Sequence, residues 1–587
     1  MAAEDRSILV LYGSETGNAK DAAERVGRAA RRHHFQARVV AMDSFPLPTL
    51  IDESLVVFVC ATTGNGVEPA NMTPLWKALL RADLPPDLFE DMDFAVLGLG
   101  DSSYQRFNWA AKRLQRRLLS LGGHEIYNRG DADDQDSRGA DGVVDPWIQS
   151  LFEKIAERYP LPPGLSILPE IGLYPPTLTI TPCPTPQPSN GTTLEPLPQL
   201  HNVTLVQNKR ITREDWYQDV RHIILKAEGH IEYQPGDVAV LYPENSSDDV
   251  DKLLRRLGWE QDADKPILIS PSSPDRTLPF GYPNPNTPTT LRNLLTKDAA
   301  ITAVPRKSFI ELLSNFTKDQ LETDKLREFC TPEGLDDLFD YTTRVRRTIL
   351  ELLLEFRSAI VPQEYIADLF PELRPRQFSI ASSLIAHPSE IHLCIAIVSY
   401  RTKLRIPRKG ICTSWLDGLQ PGTKLQIGLK EGTMRLPKDV DQPVVMIGPG
   451  TGVAPMRAMI EERAANGASA NVLYFGCRKA VADYHFRPEW EQYQQQDRLY
   501  HRLAASRDQE SKVYVQDLIS IDSRKIKEWL VDRNGRVYIS GSSNQMPTAV
   551  RKSIIASLKK ECKWSEEESV DYINNMEVQG RWCEECW

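Results

Sequence analysis

The sequence predicts a multidomain α/β chain. It begins with a doubly wound parallel sheet, continues as an antiparallel β-barrel broken by a helical insertion, and ends in a second α/β domain. Three observations carry that reading. Over residues 7–159, β-rich runs (ILVLYG, ARVVAM, LVVFVCA, FAVLGLG) alternate with helix-compatible stretches such as AKDAAERVGRAARRH and WAAKRLQRRLLSLG, the pattern of a parallel sheet with helices on both faces. Over residues 203–434, DVRHIILKA, GDVAVLYP, IHLCIAIVSY and TKLQIGLKEG read as antiparallel strands, with a mainly helical insertion at about 246–369. From residue 436 onward the alternation returns in VVMIGPG, NVLYFGCR and RVYISG. The expected modules are therefore 1–159, 201–435 and 436–587. Residues 160–200 form a linker: its twelve prolines between 160 and 198 show neither helical nor strand period, so it reads as a semi-rigid tether or a plain spacer.

Composition narrows the function classes. The 587 residues are 41% hydrophobic and 26% charged, ordinary for soluble globular domains. A net charge of −10 argues against non-specific nucleic-acid binding and favours a basic or metal-bearing protein partner. The longest apolar runs, such as LVVFVCA at 55–61, have the length of a buried strand rather than a membrane span. The start, MAAEDRSILVLYG, enters a strand with no signal segment. Nine scattered cysteines suit a reducing compartment. Together these lead to the expectation of a cytoplasmic protein.

Chemistry concentrates in RPRQFSIASS (374–383). In an extended segment Arg374, Arg376 and Phe378 share a face, so a cation and a ring can meet a pyrophosphate and a planar cofactor together, with the Ser379 hydroxyl next along. Two strand-to-turn motifs accompany it: GPGTGVAP (448–455) after the run VVMI, and GSETGNA (13–19) after the first strand. With these three motifs in order the chain resembles the diflavin reductases, which join a flavodoxin-like FMN module to a ferredoxin-reductase-like FAD and NADPH module. More narrowly it resembles the soluble NADPH-dependent diflavin oxidoreductases that supply electrons to cytosolic iron–sulfur protein assembly, over nearly the whole chain.

In the first module, the turn Ser14, Glu15, Thr16, Gly17, Asn18 and Ala19 opens a helix, where oriented N–H groups favour a phosphate. No lysine follows as in a P-loop, so FMN suits this turn better than a nucleoside triphosphate. A second turn (Ala61, Thr62, Thr63, Gly64) and a third (Leu99, Gly100, Asp101, Ser102, Ser103, Tyr104, Gln105, Arg106, Phe107, Asn108) would wall the ring. Tyr104 stacks on it or simply packs. By resemblance Asp134 closes the site. The acidic run Asp131, Asp133, Asp134 and Asp136 is a solvated loop or a surface that steers a partner.

For FAD the resemblance assigns Arg346, in an arginine-crowded segment of open register, and Arg376, Gln377, Phe378 and Ser379. The turn Gly410, Ile411, Cys412 and Thr413 begins a helix and reads as a second anion site, able to hold the pyrophosphate with Arg376. Glycines 448, 450 and 452 with Thr451 permit close approach of a dinucleotide. Ser506, Arg507, Lys512, Val513, Tyr514, Val515 and Gln516, in ASRDQESKVYVQ, match the family's grip on the adenosine 2′-phosphate, where NAD sites place an acid on the ribose. The terminal Trp587 corresponds to the aromatic that covers the flavin, and Ser379, Ser540 and Glu585 to residues that assist hydride transfer. Ser540 stands where membrane-bound relatives carry cysteine, and Ala549 where an aspartate is common. Cys583 and Cys586 form one CxxC, which cannot complete a zinc site; no metal ligands are assigned.

The resemblance implies an enzyme passing electrons from NADPH to FAD to FMN and on to a one-electron protein acceptor, with an anamorsin-type iron–sulfur protein the favoured partner. Reduction of methionine synthase or of a haem protein is the alternative. A non-catalytic scaffold is the alternative of another class, for which degraded flavin and nucleotide motifs would be expected.

Overall fold

The computed structural model describes residues 6–586 apart from 65, 105, 170–171, 184–199, 274–275, 277, 280 and 286. Gln105 and Trp587 therefore lie outside the described residues. The chain divides into two compact units. One holds the amino-terminal sheet with Asn245–Arg374 and Thr402–Leu404. The other holds the antiparallel sheet with Pro375–Arg401 and everything described from Arg405 on.

The first unit opens with β1 (Ser7–Gly13), α1 (Asn18–Arg32), β2 (Gln36–Ala41), β3 (Leu55–Ala61), α2 (Thr73–Leu79), β4 (Asp93–Gly100), α3 (Trp109–Ser120), β5 (His124–Glu125), β6 (Gly130–Asp133) and α4 (Asp141–Arg158). Its strands are parallel in the order β2-β1-β3-β4, with β5 and β6 both pairing with β4. β3 and β4 are apolar and buried nearly throughout because helices cover both faces. α1 and α4 pack with Val10, Val57 and Leu97 on one side, α2 and α3 with Leu11, Phe58 and Val96 on the other. All three sequence-assigned turns leave carboxyl ends of strands, where doubly wound sheets bind ligands. The proline-rich stretch is not purely connecting chain. It contains β7 (Leu178–Pro182), whose alternating residues pair with a strand of the insertion.

The second unit begins with β8 (Leu200–Arg210), β9 (Val220–Ala227) and β10 (Val238–Leu241). The insertion then returns to the first unit with α5 (Ser247–Leu257), β11 (Ile267–Pro271, the partner of β7), α6 (Leu291–Lys297), α7 (Lys307–Phe316), α8 (Gln320–Cys330), α9 (Leu335–Leu338), α10 (Ile349–Glu355) and α11 (Ile366–Leu369). Its core gathers Leu253, Trp259, Leu294, Phe309, Leu353 and Ile366. Side-chain caps fix several helix starts, among them Ser246 for α5 and the reciprocal Thr348–Glu351 box for α10.

The antiparallel sheet is completed by β12 (Arg376–Ser379), β13 (Glu390–Ala396) and, after the small pair β14 (Ser399–Tyr400) and β15 (Arg408–Lys409) and helix α12 (Ile411–Gly418), β16 (Lys424–Lys430). Its order is β12-β10-β16-β8-β9-β13. A bridge from Ile380 to Leu393 brings the two edges together, so the barrel is nearly closed and fills with Ile223, Leu225, Ile391 and Ile427.

The last segment is β17 (Val444–Ile447), α13 (Val453–Ala465), β18 (Asn471–Cys477), α14 (Ala480–Asp483), α15 (Arg487–Gln495), β19 (Tyr500–Ala505), α16 (Val515–Ile521), α17 (Ser523–Lys527), β20 (Arg536–Gly541), α18 (Met546–Cys562), α19 (Glu566–Val578) and β21 (Trp582–Cys586). Its five strands are parallel in the order β19-β18-β17-β20-β21. Cys583 packs in the core on one face of this sheet and Cys586 in the core on the other. Alternation along a strand keeps the two thiols from meeting, so they are not placed to form a redox pair.

Candidate functional site

The first turn is built to hold an anion. Ser14 is buried, and its Oγ accepts the Gly17 N–H at 3.0 Å. Gly17 has φ +92°, a conformation that glycine adopts without strain, and it turns the chain into α1, whose first amides have no intrahelical acceptor. Thr62 N–H donates to the Leu99 carbonyl at 2.9 Å, tying the second turn to the third. A Cβ on Gly66 would meet Arg106 at 2.5 Å, and one on Gly100 would meet Asn108 Oδ1 at 2.6 Å. Asn108 is fully buried with φ +52°, and its Nδ2 donates to the Ala132 carbonyl at 3.1 Å. It shapes the wall from behind. Ser102 N–H is held by Asp133 Oδ1 and Ser103 N–H by Asp101 Oδ1. Burial, reinforced by Asp101 and Asp133, pushes the Asp134 carboxyl up from its ordinary range. In the acidic run Asp131 is paired with Arg129, which removes it from any free negative rim.

Several groups at this turn had no local signal in the sequence. Asn71 Oδ1 accepts the Ser14 N–H at 2.9 Å while its Nδ2 donates to the Tyr12 carbonyl at 3.3 Å. From the insertion, Arg306 Nη2 donates to the Thr16 carbonyl at 3.0 Å and its Nε to Asn18 Oδ1 at 3.3 Å. Arg374 does not share a face with Arg376 and Phe378 as expected. It belongs to the first unit, donates to the Glu15 carbonyl at 2.9 Å and pairs with Glu372, because β12 begins only at Arg376. Arg346 also lies in the first unit, with φ +53°, and its charge acts on Asp134. Arg376 and the Gly410 turn belong to the second unit.

There, β12 pairs with β10, placing Arg376 opposite Leu241, Gln377 opposite Val240, Phe378 opposite Ala239 and Ser379 opposite Val238. The Phe378 ring is half-buried against the barrel core. Burial lifts the Cys412 thiol to about 12, with the Arg376 cation opposing, so the arginine lies near the first turn of α12. Thr413 Oγ1 accepts the Val398 N–H at 3.1 Å and donates to the Gly410 carbonyl. The Ser414 hydroxyl, by contrast, is buried with no hydrogen-bond partner among the described residues. An unsatisfied buried donor beside helix amides and an arginine fits a pyrophosphate.

The dinucleotide turn crosses the end of β20 at contact distance. A Cβ on Gly452 would stand 2.1 Å from the Ser540 carbonyl oxygen, so only glycine permits the approach. Gly450 takes φ +59° beside Thr451. Ser540 is fully buried, and its hydroxyl also lacks a partner among the described residues, which fits a ligand amide. Ser540 is in register with Glu585 on β21, and Glu585 Oε1 accepts from the Thr433 amide at 2.8 Å and its hydroxyl at 2.6 Å. The structure thus brings Thr451, Ser540 and Glu585 together at the strands' carboxyl ends. Past β19, Ser506 is held by Cys477, whereas Arg507, Lys512 and Tyr514 are exposed, as a grip on a phosphate dianion requires. Val513 and Val515 pack in the core beneath, so any contact they make is through backbone.

Three families match the chain in the same order: Flavodoxin over residues 10–147, FAD binding domain over 198–415 and Oxidoreductase NAD-binding domain over 446–552. The chain is 42% identical to "NADPH-dependent diflavin oxidoreductase 1" of Danio rerio, 41% to that of Bos taurus and 38% to that of Schizosaccharomyces pombe. Each alignment covers 99% of both chains.

Proposed function

The chain belongs to the NADPH-dependent diflavin oxidoreductases, and from that premise we propose that its one-electron acceptor is an anamorsin-type iron–sulfur protein of cytosolic iron–sulfur cluster assembly. The enzyme takes FMN, FAD and NADPH. When bound, the two flavins supply the conversion of one hydride from NADPH into single electrons. The observation that carries the acceptor is the end-to-end match to this narrower family rather than to separate modules. No helix among the described residues is long and apolar enough to cross a membrane, and the cytoplasm is the proposed location.

The residues divide the work. Ser506, Arg507 and Lys512 hold the 2′-phosphate, and Gly452 lets the nucleotide lie against β20. Ser540 and Glu585, in register on neighbouring strands, assist hydride transfer together with Ser379 at the ring edge. Arg376 and the start of α12 hold the FAD pyrophosphate under Phe378, with Trp587 as the covering aromatic. The turn at residues 14–19 holds the FMN phosphate between the walls at 61–64 and 99–108. The proposed modules are 1–159, 201–435 and 436–587, joined by 160–200.

Anaerobic stopped-flow mixing of the holoenzyme with NADPH and an oxidised anamorsin-type protein tests the acceptor, with flavin and cluster absorbance followed separately. Flavin reduction followed by cluster bleaching at a catalytic rate is expected. Reduced flavins beside an unreduced cluster would overturn the acceptor and send the search to methionine synthase or a haem protein. A chain that does not reduce with NADPH would be a scaffold.

A further inference from the structure

A second constellation lies at the start of β13 and includes none of the proposed cofactor residues. It is written in six consecutive residues, HPSEIH (387–392). The Glu390 N–H donates to the His387 carbonyl at 3.2 Å, closing a tight turn with Pro388 second and Ser389 third at φ +64°. That turn brings residues 387 and 390 together. Glu390 opens β13, so Glu390 and His392 lie two apart on one face of the strand. His392 Nε2 stands 3.1 Å from Glu390 Oε2, and His387 Nδ1 stands 3.9 Å from the same oxygen. One potential ligand atom from each of the three residues lies within 4.8 Å of the others.

We propose that His387, Glu390 and His392 form a binding site for a first-row divalent cation of the zinc class. Two imidazoles and one carboxylate are the donor set of borderline cations, not of calcium or magnesium, which take oxygen. The surroundings favour it as well. His387 directs its other nitrogen, Nε2, to Glu461 Oε1 at 3.1 Å, the outer carboxylate that orients metal-bound histidines. His392 Nδ1 lies 3.2 Å from His222 Nε2 and accepts from Arg457 Nη1 at 3.2 Å, so without an ion its ring proton sits on Nε2, toward Glu390. The Arg457 cation is adjacent, but it is paired with Glu461 and Glu489, both at 2.7 Å. Glu462 adds a further carboxylate, joined to Ser383 Oγ. Glu461 and Glu489 pair with the one guanidinium, while Glu390 and Glu462 bond to His392 and Ser383 instead, leaving negative charge for a cation to balance. The His387 and Glu390 side chains are 30% and 29% exposed, which leaves a path for the ion and room for water as a further ligand.

On loading, the cation takes the His392 Nε2 lone pair while the ring proton passes from Nε2 to Nδ1, where His222 Nε2 at 3.2 Å accepts it and Arg457 Nη1 keeps its bond to the Ala381 carbonyl; no oxidation or reduction is involved. Glu461 lies on α13, the helix that follows the dinucleotide turn, and it also accepts the Ser383 N–H at 2.9 Å. A bound ion therefore adds a link between the barrel and that helix.

Equilibrium dialysis of the holoenzyme against zinc, with elemental analysis, and titration with cobalt(II) read by its visible ligand-field bands test the site. About one ion per chain is expected. Binding at least tenfold weaker is expected in both His387→Ala and Glu390→Gln, whose partly exposed side chains lie outside the apolar core. A Cys583→Ser/Cys586→Ser double variant should bind as the unaltered protein does. Absence of bound zinc would overturn the proposal. Retention of full affinity in the two site variants, or its loss in the cysteine variant, would do the same.

Discussion

At the scale of single residues, the proposed cofactor surfaces carry polar groups with no partner among the described residues and glycines with no room for a side chain. Ser414 and Ser540 keep buried hydroxyls without a partner among the described residues, and Gly452 is held where any Cβ would strike the Ser540 carbonyl. Each is a cost that a ligand offsets, the hydroxyls through about 1–3 kcal/mol of restored hydrogen bonding. In the proposed reading, specificity for the phosphorylated nucleotide rests instead on the exposed charges of Arg507 and Lys512. Lys512→Ala removes one charge-assisted bond of about 1.5–3 kcal/mol. We expect the KM for NADPH to rise about 10- to 100-fold while that for NADH stays nearly constant; steady-state kinetics with both nucleotides decides, and equal changes would remove the 2′-phosphate role.

At the scale of elements, the helical insertion does more than space two modules. It delivers Arg306 to the carbonyl and side chain of the first anion-binding turn, and Ser308 and Lys307 to Asp21 and Asp145 of the neighbouring helices. It also contains a buried acid, Asp298 at the end of α6, whose carboxyl burial lifts to about 7. A folded-state value above the unfolded one means that the folded chain binds the proton more tightly. Stability from this group is therefore full at low pH and falls as pH rises from about 4 to about 7. At roughly 1.4 kcal/mol per pKa unit the loss is up to about 4 kcal/mol. Asp298→Asn should melt higher than the unaltered protein at pH 8, and the gap should shrink toward pH 5. Calorimetric melting across that range measures it, and a constant gap would refute the assignment.

At the scale of the whole molecule, cofactor sites built on separate sheets should be separable by mutation. Asn18→Asp is isosteric and keeps an acceptor for Arg306, yet it adds a negative charge where the FMN phosphate would sit. Like charges a few ångströms apart near a surface repel by a few kcal/mol. FMN affinity should fall at least tenfold while FAD content is unchanged. NADPH should still reduce a small oxidant that takes electrons at FAD, and delivery to a protein acceptor should fall in step with FMN content. Fluorescence titration of each flavin beside both activities checks this; parallel loss of FAD would contradict separate sites.

Much of this protein was legible without coordinates, because its information is local. Alternating runs set by side-chain period specified one doubly wound sheet, a barrel and a second α/β domain, and strand-to-turn motifs suggested anion sites where glycines and hydroxyls followed an apolar run. Contacts between residues far apart in sequence were not legible. Arg306 reaches a turn some 290 positions away, and no periodicity encodes that approach. Arg374 turned from the expected flavin face to Glu15 and Glu372 because its strand starts two residues later. β7 formed within the proline-rich stretch because β11 offered it a partner. HPSEIH stands between the two cases. Its turn and strand alternation bring two imidazoles and a carboxylate together locally, but only the packing of α13 surrounds them with Glu461, Glu462 and Arg457. Sequence alone determined the modules and the chemistry of their turns, since a few adjacent backbone and side-chain groups suffice for each. Tertiary structure decided which distant charges meet, because burial and charge balance are properties of the packed chain.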